Sequence, residues 1–440
     1  MADARETAVR ALMSVDQGAW SDLTLSAAIK KARLDPRDAA LCTALCTGVL
    51  QNRALLDHYI LSYSSLRMNK IAPYVLNVLR VGIYQIAFMD RIPHSAAVNT
   101  AVTMIRRSQN PRAAGFANAV LRRVSENAEN LPKPDARDRV AYLSTLYSHP
   151  KWFVKYLLKR LGDGAEAVLA ADNAVPPMTA RVNRLKGNVI DAIALLEQDG
   201  VRSLPHPYLP DALNLLGSGS VEALRAFCAG LITIQDAASQ LDVLALSPQP
   251  GEKVLDMCAA PGGKTFFMAA QMANRGRITA CDIHEHRLGL IRSGAQRLGV
   301  EIADPVRADG TVFHPEWEGQ FDRVLVDAPC SGMGIIRKKP EIRYKDPAEI
   351  AKLPDIQKKI LTNAVRYCKP GGTLVYSTCS VMQAENEDVV RDRLAAHPEL
   401  VPQDFTLPSG IASQDGMLTL WPGQHETDGF FISKFTKRTF

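Results

Sequence analysis

Beyond about residue 230 the chain repeats one pattern: an apolar strand-like run, an acid or glycine, then a stretch with helical spacing. The runs are EKVLDM (252–257), RITACD (277–282), ADPVRAD (303–309), FDRVLVDA (321–328) and GTLVYST (372–378). HRLGLIRSGAQRLGV (286–300) and IQKKILTNAVRYC (356–368) carry the helical spacing. Because the runs lack strict polar alternation, both faces of the sheet must be covered, which predicts parallel strands with helices on either side. Ligands of such a sheet lie at the carboxyl ends of its strands. The tail GMLTLWPGQHETDGFFISKF (416–435) reads as two strands joined by a polar turn, an antiparallel hairpin closing one edge. This is an α/β domain over 229–440.

Residues 1–135 read differently, as an all-α domain. Helical spacing runs through ETAVRALMSV (6–15), RDAALCTALCTGVLQN (37–52), YVLNVLRVGIYQIAFM (74–89) and HSAAVNTAVTMIRRS (94–108), with breaks at Pro36, Pro73, Pro93 and Pro111. ENAENLPKPDARDR (126–139) is polar and proline-containing, and reads as a linker. Between the two domains, 140–228 mixes a helix in SHPKWFVKYLLKRLG (148–162), a strand in MTARVNRLK (178–186) and a helix in VIDAIALLEQDGV (189–201), a small α+β module. SLPHPYLPDAL (203–213) reads as a loop.

At 440 residues and 47% apolar content, the chain has material for two or three buried cores. The opening MADARETAVRALMSVDQ lacks the apolar region of a secretion signal, and no run is long enough to span a bilayer, so a cytoplasmic protein without membrane contact is expected. Eight cysteines are scattered without a CxxC pair or a zinc-like cluster, so each is expected to be a buried filler or a reactive thiol, and no metal is expected. Cys42 and Cys46, four apart, should share a core face. The net charge of +6 favours a polyanionic partner only weakly. Two local clusters say more: Arg106, Arg107, Arg112, Arg122 and Arg123, and the set Arg337, Lys338, Lys339, Arg343 and Lys345 that follows a cysteine loop; either alone reads equally well as a solvated face, but beside that loop the second set is expected to hold RNA phosphates.

The strand ends carry the chemistry. LDMCAAPGGKT (255–265) follows the first strand of the α/β domain and opens a helix, where small residues admit a ligand to the backbone amides. Three nucleotide-binding readings compete. A phosphate loop would use Gly263, Lys264 and Thr265 but has Cys258 where a glycine belongs; the dinucleotide pattern G-x-G-x-x-G is absent. An S-adenosylmethionine pocket needs no pyrophosphate cradle and can place Asp256 near the ligand's ammonium. Asp282 ends the next strand about 20 residues beyond Gly263, a spacing that suits ribose hydroxyls, and Asp309 ends the third, in reach of an adenine amino group. A single acid at a strand end is ordinarily a loop or helix cap; three in register favour a nucleoside pocket.

Two further strand ends carry cysteines, Cys330 in DAPCSGMG (327–334) and Cys379 in YSTCS (376–380). A structural cysteine at one strand end is unremarkable in packing terms, but two beside one pocket are not. Methylating C5 of cytosine is one chemistry that needs them, because C5 becomes nucleophilic only after a thiolate adds to C6. An acid must serve N3, and Asp327 stands three residues before Cys330.

DMCAAPGGKT, DAPCSGMG, YSTCSVMQAENE and DGFFISKF together resemble the motif series of the RNA cytosine-5 methyltransferases of the Sun/Nop superfamily, over residues from about 140 to the end. AVNTAVTMIRRSQNPRAAGFANAVLRRV (97–124) is similar to the NusB-type RNA-binding fold, and the combination resembles the bacterial Sun-type (RsmB-type) 16S ribosomal RNA methyltransferases. The resemblance implies a multidomain chain with a NusB-like domain at 1–135, an α+β RNA-binding module at 140–228 and a Rossmann-like class I methyltransferase domain at 229–440. It implies that Cys379 attacks C6 and Cys330 assists product release. It also implies S-adenosylmethionine contacts at Cys258, Ala259, Ala260, Pro261, Gly262, Gly263, Lys264, Asp282, Asp309 and Asp327, with Lys264 also able to touch the base. Met333, Phe266 and Tyr344 depart from residues frequent in relatives. An RNA-binding assembly or antitermination factor with an idle C-terminal domain is the competing reading, and it predicts failure to bind S-adenosylmethionine. A monomer is expected, since no heptad or long apolar seam stands out.

Overall fold

In the computed structural model, residues 3–18, 21–217, 219–408, 410–425 and 427–439 are described. Packing divides the chain into two compact units, Met1–Ala174 with Ile336–Lys345, and Val175–Ile335 with Asp346–Phe440. The ten residues that follow the Cys330 loop thus belong to the first unit, although the sequence pattern places them inside the methyltransferase domain.

The first unit is helical. Its early helices span Ala4–Asp16, Pro36–Gln51, Arg53–Tyr63, Pro73–Phe88, His94–Arg106 and Ala114–Glu126. Asp3 and Asp35 cap two of them, accepting from the Arg5 and Asp38 amides, and Pro36 and Pro73 sit at first positions, where a missing amide hydrogen costs nothing. Leu12, Leu45, Ile60, Leu79, Ile83, Ile105 and Leu121 fill the core. Cys42 and Cys46 share it as expected, and burial pushes the Cys42 thiol up to about 11. Helices Arg139–Leu146, Lys151–Leu161 and Ala165–Ala171 also fall within this unit, so packing draws no boundary near residue 140. Among the described residues no single helix is long and apolar enough to cross a membrane.

The second unit holds two sheets. The smaller comprises β1 (Met178–Val182), β2 (Arg202–Pro205), β3 (Ala212–Leu216) and β4 (Ile232–Ile234), antiparallel in the order β2-β3-β1-β4. The stretch 203–213, read from sequence as a loop, is mostly the β2–β3 hairpin: its prolines hid two short strands, which cross-strand pairing stabilises although the local propensity is poor. Helix Val189–Gln198 starts at a capping box between Asn188 and Asp191.

The larger sheet contains β5 (Lys253–Asp256), β6 (Arg277–Asp282), β7 (Ala303–Arg307), β8 (Phe321–Asp327), β9 (Cys368–Thr378), β10 (Leu400–Pro402), β11 (Met417–Leu420) and β12 (Phe430–Lys437). Its order is β10-β12-β9-β8-β5-β6-β7, with β11 on β12; the β9-to-β7 part is parallel and β10 to β12 pair antiparallel. Helices cover both faces, as the unbroken apolar runs require. Leu325, Val375 and Ile432 pack with Leu241, Met268 and Ile291 on one side, while their chain neighbours Val324, Tyr376 and Phe431 pack with Leu361 and Ala364 on the other. β8 and β9 run in register, Asp327 opposite Ser377. The loops bearing Cys330 and Cys379 therefore leave neighbouring strands at the same edge.

Arg343 does not face solvent, contrary to the expectation that it holds phosphates. It is fully buried and donates to the carbonyls of Gln51 (2.8 Å), Tyr147 (3.2 Å) and Ser148 (3.2 Å) and to Asn173 Oδ1 (2.9 Å). Tyr344 donates to the Leu50 carbonyl at 2.9 Å, and Arg53 lies over its ring at 5.2 Å. Helix ends leave carbonyls without partners, and a planar guanidinium satisfies several at once. Arg343→Ala is expected to lower the unfolding free energy in urea by about 3 kcal/mol, through lost charged hydrogen bonds and orphaned carbonyls, while leaving the salt dependence of RNA binding unchanged.

Candidate active site

The loop after β5 turns tightly. Gly262 takes φ +110°, and a side chain there would strike the Phe266 ring at 2.3 Å. The Gly262 amide donates to the Ala259 carbonyl (2.8 Å), the Ala259 amide donates to the Cys281 carbonyl (2.7 Å), and the Ala260–Pro261 bond is cis. Gly263 then opens helix Gly263–Gln271. This is the small-residue approach to a helix N-terminus that the sequence pattern implied.

Acids stand at the expected strand ends. Asp256 ends β5, fully buried; Oδ2 accepts from Thr265 Oγ1 at 2.7 Å, and Oδ1 is buried without a partner among the described residues. Burial pushes its carboxyl up to about 7. Asp282 ends β6 and accepts from the His284 amide at 2.8 Å; Asp309 lies just past β7 and accepts from the Thr311 amide (2.9 Å) and hydroxyl (2.7 Å). Each therefore spends Oδ1 on its own loop, as the capping reading expects. Acids at three neighbouring strand ends, a glycine cradle and the unpartnered Asp256 Oδ1 fit a nucleoside with a cationic amino-acid end. Cys258, Ala259, Ala260, Pro261, Gly262, Gly263, Lys264, Asp282, Asp309 and Asp327, expected on resemblance to contact S-adenosylmethionine, lie at the ends of β5, β6, β7 and β8 or in the segments that directly follow those strands, and would hold such a ligand.

Lys264 is buried and bridges two carboxylates, Asp242 and Asp327, the latter at 2.7 Å. Ser377 Oγ donates to Asp242 Oδ2 at 2.8 Å, and the Phe430 ring lies 4.7 Å from the ammonium. Burial by itself would lower the Lys264 ammonium, but Asp242 and then Asp327 outweigh it and hold it above the ordinary lysine range. The side chain of Asp242 is sealed from solvent, whereas that of Asp327 is 33% exposed, so Asp327 is the carboxylate a base can reach. Sequence reading missed Asp242. Its one signal was a lone acid in the apolar helix AASQLDVLAL, Ala237–Leu246.

The two cysteines meet. Cys330 Sγ and Cys379 Sγ lie 3.2 Å apart, both half-buried. The Gly334 amide donates to the Cys379 carbonyl (3.0 Å), and the Gly429 amide to the Gly334 carbonyl (2.7 Å), so DGFFISKF braces the DAPCSGMG loop. A side chain at Gly334 would overlap the Gly429 carbonyl at 2.0 Å. Met333 is buried in the same loop. The hydrogen bond to Cys379, and then burial, hold the Cys330 thiol well above its ordinary range. Cys281 and Cys258 are likewise raised by burial, and Cys368 is pushed up to about 12.

The folded chain keeps a proton on Asp256 to about pH 7, the unfolded chain only to about pH 4. Between those values the folded state binds more protons, so this group's stabilising contribution falls as pH rises and is lost above pH 7. Asp256→Asn removes that dependence: across this window its unfolding free energy, relative to wild type, is expected to rise by up to about 1.4 kcal/mol per pH unit, read from denaturant titrations at each pH.

Comparison with known proteins follows the same lines. The family 16S rRNA methyltransferase RsmB/F matches residues 243–436, the NusB family residues 2–126, and the ferredoxin-like domain of Methyltr_RsmF/B-like proteins residues 149–222. The probable ribosomal RNA small subunit methyltransferase B of Bacillus subtilis is 37% identical over 99% of this chain and 98% of its own length. Ribosomal RNA small subunit methyltransferase B of Klebsiella pneumoniae is 36% identical over 92% of each chain. The crystal structure of PH0851 superposes with a TM-score of 0.83 at 29% identity, covering 99% of this chain and 98% of that one. These likenesses run over the helical part, the small sheet and the cysteine-bearing domain alike, and the chain belongs to the 16S rRNA methyltransferase RsmB/F family, enzymes that take their methyl group from S-adenosylmethionine.

Proposed function

We propose that the protein methylates C5 of a cytidine in 16S ribosomal RNA through a transient bond between Cys379 and C6 of the base. The observation that carries this reading is the pair of sulfurs 3.2 Å apart at the ends of adjacent strands, beside the Lys264–Asp327 pair. When bound, S-adenosylmethionine supplies an electrophilic methyl group.

The chain's own residues do the rest. Cys379 adds to C6 as a thiolate, and electron density moves toward C5. Cys330 keeps its proton and donates to the Cys379 sulfur, which stabilises negative charge there. Asp327 and Lys264 face the base, Asp327 serving N3 and Lys264 within reach of an acceptor on the ring. Once C5 carries its methyl, the C5 proton passes to solvent, its electron pair re-forms the C5–C6 double bond, and the Cys379–C6 bond breaks with its pair returning to Cys379 as thiolate, a departure that Cys330 assists by its hydrogen bond to that sulfur. C6 must be exposed to the thiolate, so the target is an unpaired or flipped base.

Capture of the RNA falls to residues 1–135 and 140–228, and chemistry to 229–440. Arg106, Arg107, Arg112, Arg122 and Arg123 are all exposed and suit phosphates. Arg343, and Arg337, which is buried, are removed from the phosphate-binding set proposed on sequence, leaving Lys338, Lys339 and Lys345. The protein works as a cytoplasmic monomer.

The test is a denaturing gel of protein incubated with ribosomal RNA and S-adenosylmethionine. Cys330→Ala is expected to accumulate a covalent protein–RNA band and to lose turnover, and Cys379→Ala to form no band. A band that instead requires Cys330 reverses the two roles, and methylation that survives loss of Cys379 refutes the covalent mechanism.

A further inference from the structure

We propose that Glu385 is a positioning residue that sets the distance between the two reacting sulfurs; the proposal rests on the two-thiol reading above. Glu385 is buried at 1% exposure and lies in helical turn Gln383–Glu385, after the Cys379 loop. Its Oε1 accepts from the Ser331 amide at 2.7 Å and from Gln357 Nε2 at 3.1 Å. Its Oε2 accepts from the hydroxyls of Ser331 and Ser380, both at 2.5 Å. The two hydroxyls are themselves 3.1 Å apart.

Ser331 and Ser380 each follow a cysteine directly, Cys330 and Cys379. One carboxylate thus holds both cysteine loops a single residue from their sulfurs. Gln357 extends the hold to the other side of Cys330, donating to the Pro329 carbonyl at 3.0 Å. The Glu385 carbonyl accepts from Tyr376 Oη at 2.6 Å, which ties the clamp to β9.

A buried carboxylate away from water needs donors, and charge-assisted bonds are the strong ones. Separating either loop would strip part of the hydrogen bonding from a buried charge, so the carboxylate resists any widening of the gap. The reaction needs that resistance. One sulfur must leave C6 while the other stays within reach of it, and a misplacement of about 1 Å is worth about 100-fold in rate. Among the described residues the Glu385 carboxylate accepts from the two cysteine loops and from Gln357, which itself holds the Cys330 loop, so its hydrogen bonds converge on the pair of loops it positions.

The experiment uses the full chain as wild type, Glu385→Ala, Glu385→Gln and the milder Ser380→Ala. In glutathione buffers, two thiols and one oxidised glutathione give one protein disulfide and two reduced glutathiones. The Cys330–Cys379 peptide, quantified by mass spectrometry, then reports the effective concentration of one sulfur at the other. Glu385→Ala is expected to lower it at least about tenfold and to lower the single-turnover methylation rate about 100-fold, with affinity for S-adenosylmethionine held within about threefold. Glu385→Gln and Ser380→Ala, which keep part of the clamp, should fall between wild type and Glu385→Ala in both readouts and in the same order. An effective concentration unchanged in every variant overturns the proposal. So does a fall without a matching loss of rate, or a loss of rate that tracks lost cofactor affinity. The redox readout needs no RNA and no assignment of roles to the thiols, so failure of the clamp is distinguishable from failure of the covalent mechanism.

Discussion

The site depends on the parallel pairing of β8 with β9, in register from Arg323 opposite Thr373 to Asp327 opposite Ser377. Parallel strands end at the same edge of the sheet, so two segments about 50 residues apart in the chain deliver their loops side by side. A slip of one residue would move Asp327 and Ser377 to opposite faces and separate the sulfurs. The register is held by burial on both faces, where Leu325 and Val375 pack on one side and Val324, Val326 and Tyr376 on the other. Hydrophobic packing in the sheet thereby sets the separation of two polar loops.

Above that frame the site is an exercise in keeping charges dry and paired. Lys264 carries a buried ammonium between Asp242 and Asp327, and Glu385 carries a buried carboxylate among four donors. Such groups contribute little to net stability and cost much when one partner is lost, so their worth lies in geometry. Both sit beside loops that no regular hydrogen-bond ladder would fix. The same device recurs in the first unit, where the Arg343 guanidinium satisfies main-chain carbonyls of two segments and the Asn173 side-chain oxygen of a third at once.

Much of this was readable in advance. The strands of the parallel sheet, the helices between them and the all-α start followed from periodicity, because a residue's buried or exposed neighbours repeat along an element. Cys330, Cys379 and Lys264 were singled out because each lies in a segment of small residues that follows a strand, and Asp256, Asp282 and Asp309 because they recur at the ends of successive strands. Asp242 and Glu385 were not singled out, since a buried acid differs from a solvated one only through contacts remote in sequence. The β2 and β3 strands were lost behind prolines for the same reason: their stability comes from each other.

Arg343 shows where local reading stops. By composition it belonged to a basic stretch fit for phosphates; in the fold it is fully buried. Sequence by itself determined the elements of the parallel sheet, the residue types at its strand ends and the motif series that marks the family, because these depend on residue type and short spacing. Only the tertiary structure decided that the two sulfurs lie 3.2 Å apart, that Lys264 answers to two carboxylates and that one glutamate joins both cysteine loops. Those facts depend on strand order and register, and they are set by packing between segments that the chain's own spacing leaves far apart.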